Sequence, residues 1–142
     1  MSAAIHILNG PNLNRLGTRE PEIYGTTTLA DIEAMCREAT SRPVVFRQTN
    51  HEGEMVDWIH AAIDEPAHGI VINPAGLSFH SVPVLDAIRM VERPVIELHI
   101  SNIHARDAAH RHSLISSAAT AVVAGLGARG YVHAVRALDE MD

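Results

Sequence analysis

No lysine occurs in the 142 residues of this chain, and all 11 of its positive side chains are arginine. That absence excludes Schiff-base catalysis through a side-chain amine and the lysine of a phosphate-cradling P-loop. A cation that meets an anion here must be Arg or His, with backbone N–H as the remaining donor. Cysteine is nearly absent as well: Cys36 stands alone, so no internal disulfide can form, and a reducing cytoplasmic setting is expected. Cys36 falls in "TLADIEAMCREATSR" and reads as a small buried residue, because a nucleophilic thiol needs an accessible, electropositive setting. No basic run is present and the formal net charge is -6, so a nucleic-acid partner is not expected; phosphate binding needs clustered positive charge. No apolar stretch approaches the roughly 20 residues of a membrane span. The opening "MSAAIHILNG" lacks the basic region, long apolar segment and cleavage site of a secretory leader. The expected partner is a small molecule.

With 46% hydrophobic content, the length suits one domain with a real core, spanning 1–142. Short, mostly β-branched runs bounded by Pro, Gly or Asn read as five buried strands: "AAIHIL" (3–8), "VVFRQ" (44–48), "GIVIN" (69–73), "PVIELHI" (94–100) and "TAVVAG" (120–125). Between them, Leu29, Ile32, Met35 and Cys36 fall at helical spacing, as do Met55, Trp58, Ile59 and Ala62. "SVPVLDAIRMV" has Ser81 as an N-cap with Pro83 in its first turn, and "GYVHAVRALDEM" closes the chain as a helix. Repetition of β-α implies an α/β fold, a parallel sheet with helices on both faces. Ligands of such sheets bind outside the carboxyl ends of the strands, where strand order reverses. Three polar segments leave those ends: the opening loop, "NPAGLSFHS" and "HISNIHARDAAHRHS".

The opening loop, "NGPNLNRLGTREPEIYG" (9–25), has no regular periodicity and is read as a polar lid rather than core. Tyr24 could be a simple aromatic anchor, but Arg19 lies five residues before it. A guanidinium nearby favours the phenolate and lowers a pKa that starts near ~10, which would make Tyr24 a usable general base. Asn12 could cap a turn, or its amide could orient a water or stabilise an oxyanion. His99 ends the fourth strand and could act as a general acid near neutral pH, with Glu97 on the same strand face to orient it. His99, His104, His110 and His112 are spaced by five, six and two, which argues against a zinc site. Asn73 could be a turn amide, Asp86 an exposed helix residue or a half-buried carboxylate seeking an Arg, and Arg106 a loop ion pair.

Taken together, "LNGPNLNRLGTREPEIYG", "RQTNHEGEMVDWIH", "ELHISNIHAR", "RHS" and "GLGARGYVHAVRAL" resemble type II 3-dehydroquinate dehydratases over essentially the whole chain. The resemblance implies a flavodoxin-like fold, a dodecamer built from trimers, and no metal or cofactor. It also implies that Tyr24 removes a proton alpha to the ketone of 3-dehydroquinate, with Arg19 lowering its pKa and Asn12 holding the water that stabilises the enolate. His99, supported by Glu97, would protonate the departing hydroxyl. Asn73, Asp86 and the Ile100 and Ser101 backbone would bind substrate, with Arg106 in the supporting loop. Two departures stand out. Where the family reads Asn-Pro-Gly-Ala-Tyr-Thr-His-Thr-Ser, this chain has "NPAGLSFHS", placing Phe79 at the substrate-contacting His and moving the imidazole to His80. His110 replaces a substrate-binding Arg. Two other readings follow: a paralogue acting on a related cyclic hydroxy-keto acid, and a non-catalytic flavodoxin-like binding module.

Overall fold

The computed structural model describes residues 2–18 and 21–142; the side chains of Ile23 and Tyr24 also lie outside the description. Five strands, β1 (Ile5–Asn9), β2 (Val44–Gln48), β3 (Gly69–Asn73), β4 (Val95–His99) and β5 (Ala121–Ala124), form a parallel sheet in the order β2-β1-β3-β4-β5. This is the flavodoxin-like order, and it reverses between β1 and β3. The helices are α1 (Pro21–Tyr24), α2 (Leu29–Glu38), α3 (Glu52–Asp64), α4 (Val82–Arg89) and α5 (Arg129–Glu140).

Alternation along the strands builds two cores. Ile5, Ile7, Val71, Ile96 and Leu98 pack with Ile32 and Cys36 of α2 and with Tyr131, Val135 and Leu138 of α5. Leu8, Ile70, Ile72 and Val95 form the other layer with Met55 and Ile59 of α3 and Val84 and Ile88 of α4. Burial pushes the Cys36 thiol up to about 12, so it stays a neutral packing group. Ser81 caps α4 as expected, its hydroxyl accepting from Val84 N–H and donating to Glu52 at 2.6 Å, which joins the starts of α3 and α4.

Two local expectations are corrected. The fifth strand is not buried: β5 forms a sheet edge, and Val122 is 42% exposed. A one-dimensional apolar run carries no information about which strand ends the sheet. The opening loop, in turn, is partly core. Leu13, the first residue of a short 3-10 turn (Leu13–Arg15), and Leu16, which follows it, are only 4% and 6% exposed and pack into the α2/α5 layer. These two leucines anchor the polar loop from beneath.

The loops that leave β1 and β3 are held together closely. Gly10 N–H donates to Asn73 O at 2.8 Å, and a Cβ on Gly10 would stand 2.4 Å from Pro74 O. Just beyond, Ala75 has φ 51°, in the left-handed region where a Cβ costs about 1–2 kcal/mol. The family sequence quoted above has Gly at this point. Ala75→Gly should therefore stabilise the fold by up to about 1 kcal/mol after the larger backbone entropy of Gly is subtracted. In a thermal melt this is a gain of about 2–4 °C; an unchanged or lower midpoint would contradict the strain at Ala75.

Candidate active site

A cavity of about 180 Å³ opens at the carboxyl ends of β1, β3 and β4, beside the point where strand order reverses. Its walls come from the three segments that the sequence pattern brings to this edge. Asn12 stands in the opening loop at φ 70°, a conformation Asn tolerates better than most residues, with its N–H held by the Asn50 side chain at 2.9 Å. Asn73 and Phe79 come from the second segment, and His99, Ile100, Ser101, Arg106 and His110 from the third.

His99 and Glu97 are both buried, 4% and 0% exposed, on the same face of β4. His99 Nε2 donates to Glu97 Oε2, while Ser116 Oγ donates to Glu97 Oε1 at 2.6 Å. Burial pushes the Glu97 carboxyl up, but the hydrogen bonds from His99, Ser116 and Ser113 outweigh it and hold the group below the ordinary Glu value. Glu97 is thus an acceptor at neutral pH. It fixes Nε2 of His99 as an N–H, and Nδ1 is the ring nitrogen left for proton exchange. Glu97 lies behind His99 and does not line the cavity.

The depressed Glu97 pKa has a consequence for stability. Its contribution is fully present above the unfolded value of about 4.5 and is lost as pH falls through the lower, folded value. Glu97→Gln should therefore flatten the acid limb of a plot of Tm against pH below about 4.5. A parallel displacement of the whole curve would mean that the carboxylate is not the group being titrated.

Beneath the cavity runs a chain of hydrogen bonds that the sequence reading did not anticipate. Tyr131 of α5 is completely buried, and burial drives its phenol well above the ordinary value, so it stays protonated. Its hydroxyl donates to Asn9 Oδ1 at 2.7 Å and accepts from Asn73 Nδ2 at 2.9 Å. Asn9 Nδ2 donates to Arg47 O at 3.0 Å, and Asn73 Oδ1 accepts from Ala75 N–H at 3.2 Å. Asn9 and Asn73 are register partners at the ends of β1 and β3. That shared position was the available clue; Tyr131, 122 residues beyond Asn9, offered none. Ser116 was missed for a similar reason, as one hydroxyl among several in "RHSLISS".

On the far wall, His110 Nδ1 and Asp107 Oδ1 are 2.7 Å apart, and this bond holds the Asp107 carboxyl below its ordinary value. The His110 ring meets Phe79 edge to face, with centroids 5.4 Å apart. The two departures from the family sequence therefore touch each other.

Of the described site residues expected from the sequence, His80 and Asp86 join Glu97 in not lining this cavity. Arg19 lies outside the described residues, as does the Tyr24 side chain, although the Tyr24 backbone ends α1. His80 is exposed: the 3-10 turn Ala75–Phe79 presents Ala75, Gly76 and Phe79 to the cavity, and His80, which follows the turn, is not among the lining residues. Asp86 is also exposed. On α4 the buried positions are 84, 85, 87 and 88, so Asp86 lies on the outer stripe with Val82 and Arg89, and among the described residues it has no ion-pair partner. Of the two readings of Asp86, helix phase supports the exposed one and not the half-buried one. Among the described residues, no group of three His, Cys, Asp or Glu could hold a metal ion, and no helix is long and apolar enough to cross a membrane.

Comparison with known proteins agrees with this geometry. A family model described as "Dehydroquinase class II" matches residues 3–139. A 3-dehydroquinate dehydratase of Rhizobium meliloti is 52% identical, covering 99% of this chain and 97% of its own length. One from Streptomyces coelicolor is 56% identical, covering 94% of this chain and 87% of its own length. Among solved structures, a type II dehydroquinase from Propionibacterium acnes superposes with a TM-score of 0.91 at 46% identity, covering 97% of each chain. Another from Butyrivibrio crossotus superposes with a TM-score of 0.94 at 34% identity, over 98% of this chain and 99% of that one. The full-length match in sequence and in fold places the chain in the class II dehydroquinase family.

Proposed function

We propose that the chain, working as one catalytic domain, eliminates water from 3-dehydroquinate to give 3-dehydroshikimate. The observation that carries this reading is the buried His99–Glu97 pair at the cavity wall: a proton donor with one ring nitrogen fixed and the other left for exchange. Tyr24, with Arg19 favouring its phenolate, takes the proton alpha to the substrate ketone. The electron pair moves onto the carbonyl oxygen as an enolate, which a water held by Asn12 stabilises. As the enolate collapses, the bond to the beta hydroxyl breaks and His99 supplies the proton that lets it leave as water. His99 is then neutral and Tyr24 protonated, and exchange with solvent resets both.

Ile100 and Ser101, on the wall beside His99, bind substrate with Asn73. Arg106 and His110 supply cationic or N–H donors for its carboxylate and hydroxyls. The proposed assembly is a dodecamer built from trimers, working in the cytoplasm without metal or cofactor, in aromatic biosynthesis or quinate breakdown. A second reading, a related cyclic hydroxy-keto acid as substrate, is favoured by the Phe79–His110 contact, which sets an apolar ring where the family places an imidazole.

The test is an ultraviolet assay for the conjugated enone product with purified protein and 3-dehydroquinate. Turnover at ordinary enzyme concentration supports the primary reading. No turnover at high protein and substrate concentrations overturns it in favour of a changed substrate or a binding module.

A further inference from the structure

The chain of hydrogen bonds beneath the cavity has a direction that its two ends impose. At one end Ala75 N–H can only donate, so the Asn73 atom facing it is Oδ1 and not Nδ2. At the other, Arg47 O can only accept, so the Asn9 atom facing it is Nδ2. Between them the Asn73 amide donates to Tyr131, and Tyr131 donates to Asn9. A flipped Asn73 amide would set N–H against N–H at Ala75. The amide orientation in the cavity wall is thus determined, and Tyr131 is its second anchor point.

We infer that Tyr131 is a positioning residue for substrate recognition: its hydroxyl clamps Asn73 so that the amide's second N–H is held for an oxygen acceptor of the ligand. The clamp also ties β1 to β3 at the place where their loops diverge around the cavity. Oxygen-rich ligands suit such a wall, and 3-dehydroquinate is one; to that extent the inference rests on the function proposed above. Phe at 131 would keep the buried ring and lose only the hydroxyl, leaving Asn73 Nδ2 and Asn9 Oδ1 without their partner.

Tyr131→Phe is expected to raise KM for 3-dehydroquinate about tenfold with kcat changed less than about threefold, the pattern of lost ground-state positioning. A double-mutant cycle separates positioning from general packing. On an Asn73→Ala background, Tyr131→Phe should add no further rise in KM, because the group it positions is gone. An unchanged KM in Tyr131→Phe, or an equal rise on both backgrounds, overturns the proposal. A crystal structure of Tyr131→Phe gives a reading independent of turnover: the Asn73 amide is expected to leave its wild-type rotamer, and an unmoved amide overturns the clamp. Wild-type protein in the same assay separates the two failures, since an inactive wild type refutes the substrate and leaves the crystallographic test of the clamp standing.

Discussion

Replacing His99 with alanine is expected to lower kcat for 3-dehydroquinate dehydration by about 10²–10⁴-fold, the range for a lost general acid. The ring is buried on the last residue of β4, at the cavity wall, with Nε2 committed to an ionised Glu97. Among the described residues, Ser101 on the same wall is a far weaker acid, and the imidazole of His110 on the far wall is engaged through Nδ1 with Asp107. KM should change much less than kcat, since the lost interaction belongs to the transition state. Glu97→Gln should give a smaller loss, about 10–100-fold, because the ring remains and only its orientation and electrostatic support change. Tyr24→Phe should match His99→Ala in size, as the base and acid serve opposite ends of one elimination. Steady-state kinetics by enone absorbance check all three, and wild-type kcat in His99→Ala would reject the assigned acid.

Gly10→Ala is the second large effect, and its cause is steric. A Cβ at position 10 meets the Pro74 carbonyl oxygen at 2.4 Å and its carbon at 2.8 Å, and neither is a side chain that can rotate away. One of the two loops must shift. Overpacking of this kind costs about 1–3 kcal/mol, a fall in Tm of roughly 2–12 °C for a chain of this length. The kinetic cost should be greater than the stability cost. Asn12, two residues on, and Asn73, one residue before Pro74, both line the cavity, and a displacement of about 1 Å in positioned groups can reduce turnover ~10²-fold. Circular dichroism and kinetics on the same sample distinguish the two costs. A folded Gly10→Ala protein with wild-type kcat/KM would mean that the contact between these loops does not set the site.

Much of this was legible in one dimension because its physical basis is local. The start of β2 after Pro43 and the bounds of β3 at Gly69 and Asn73 follow from apolar β-branched runs bounded by Pro, Gly or Asn, and the Ser81 cap follows from a hydroxyl placed before an apolar helical pattern. His99 and Glu97 share a face because strand side chains repeat every two residues, so their contact was implied by spacing alone. Asp86 was left open and β5 was misjudged where local pattern is ambiguous: helix phase decides which side of α4 meets the sheet, and strand order decides which strand lies at the edge. Leu13 and Leu16 were misread because a loop's composition says nothing of what lies under it.

The sequence by itself determined the fold class, the sheet edge where a ligand would sit, and the residue types available for its chemistry, since hydrophobic period and the absence of lysine are properties of the chain as written. Only the tertiary structure decided which residues distant in the chain act together. Ser116 beneath Glu97, Phe79 against His110, and Tyr131 between Asn9 and Asn73 are contacts across 19 to 122 residues. Partners so far apart are chosen by how helices and connecting turns pack around the sheet, and no local periodicity encodes that choice.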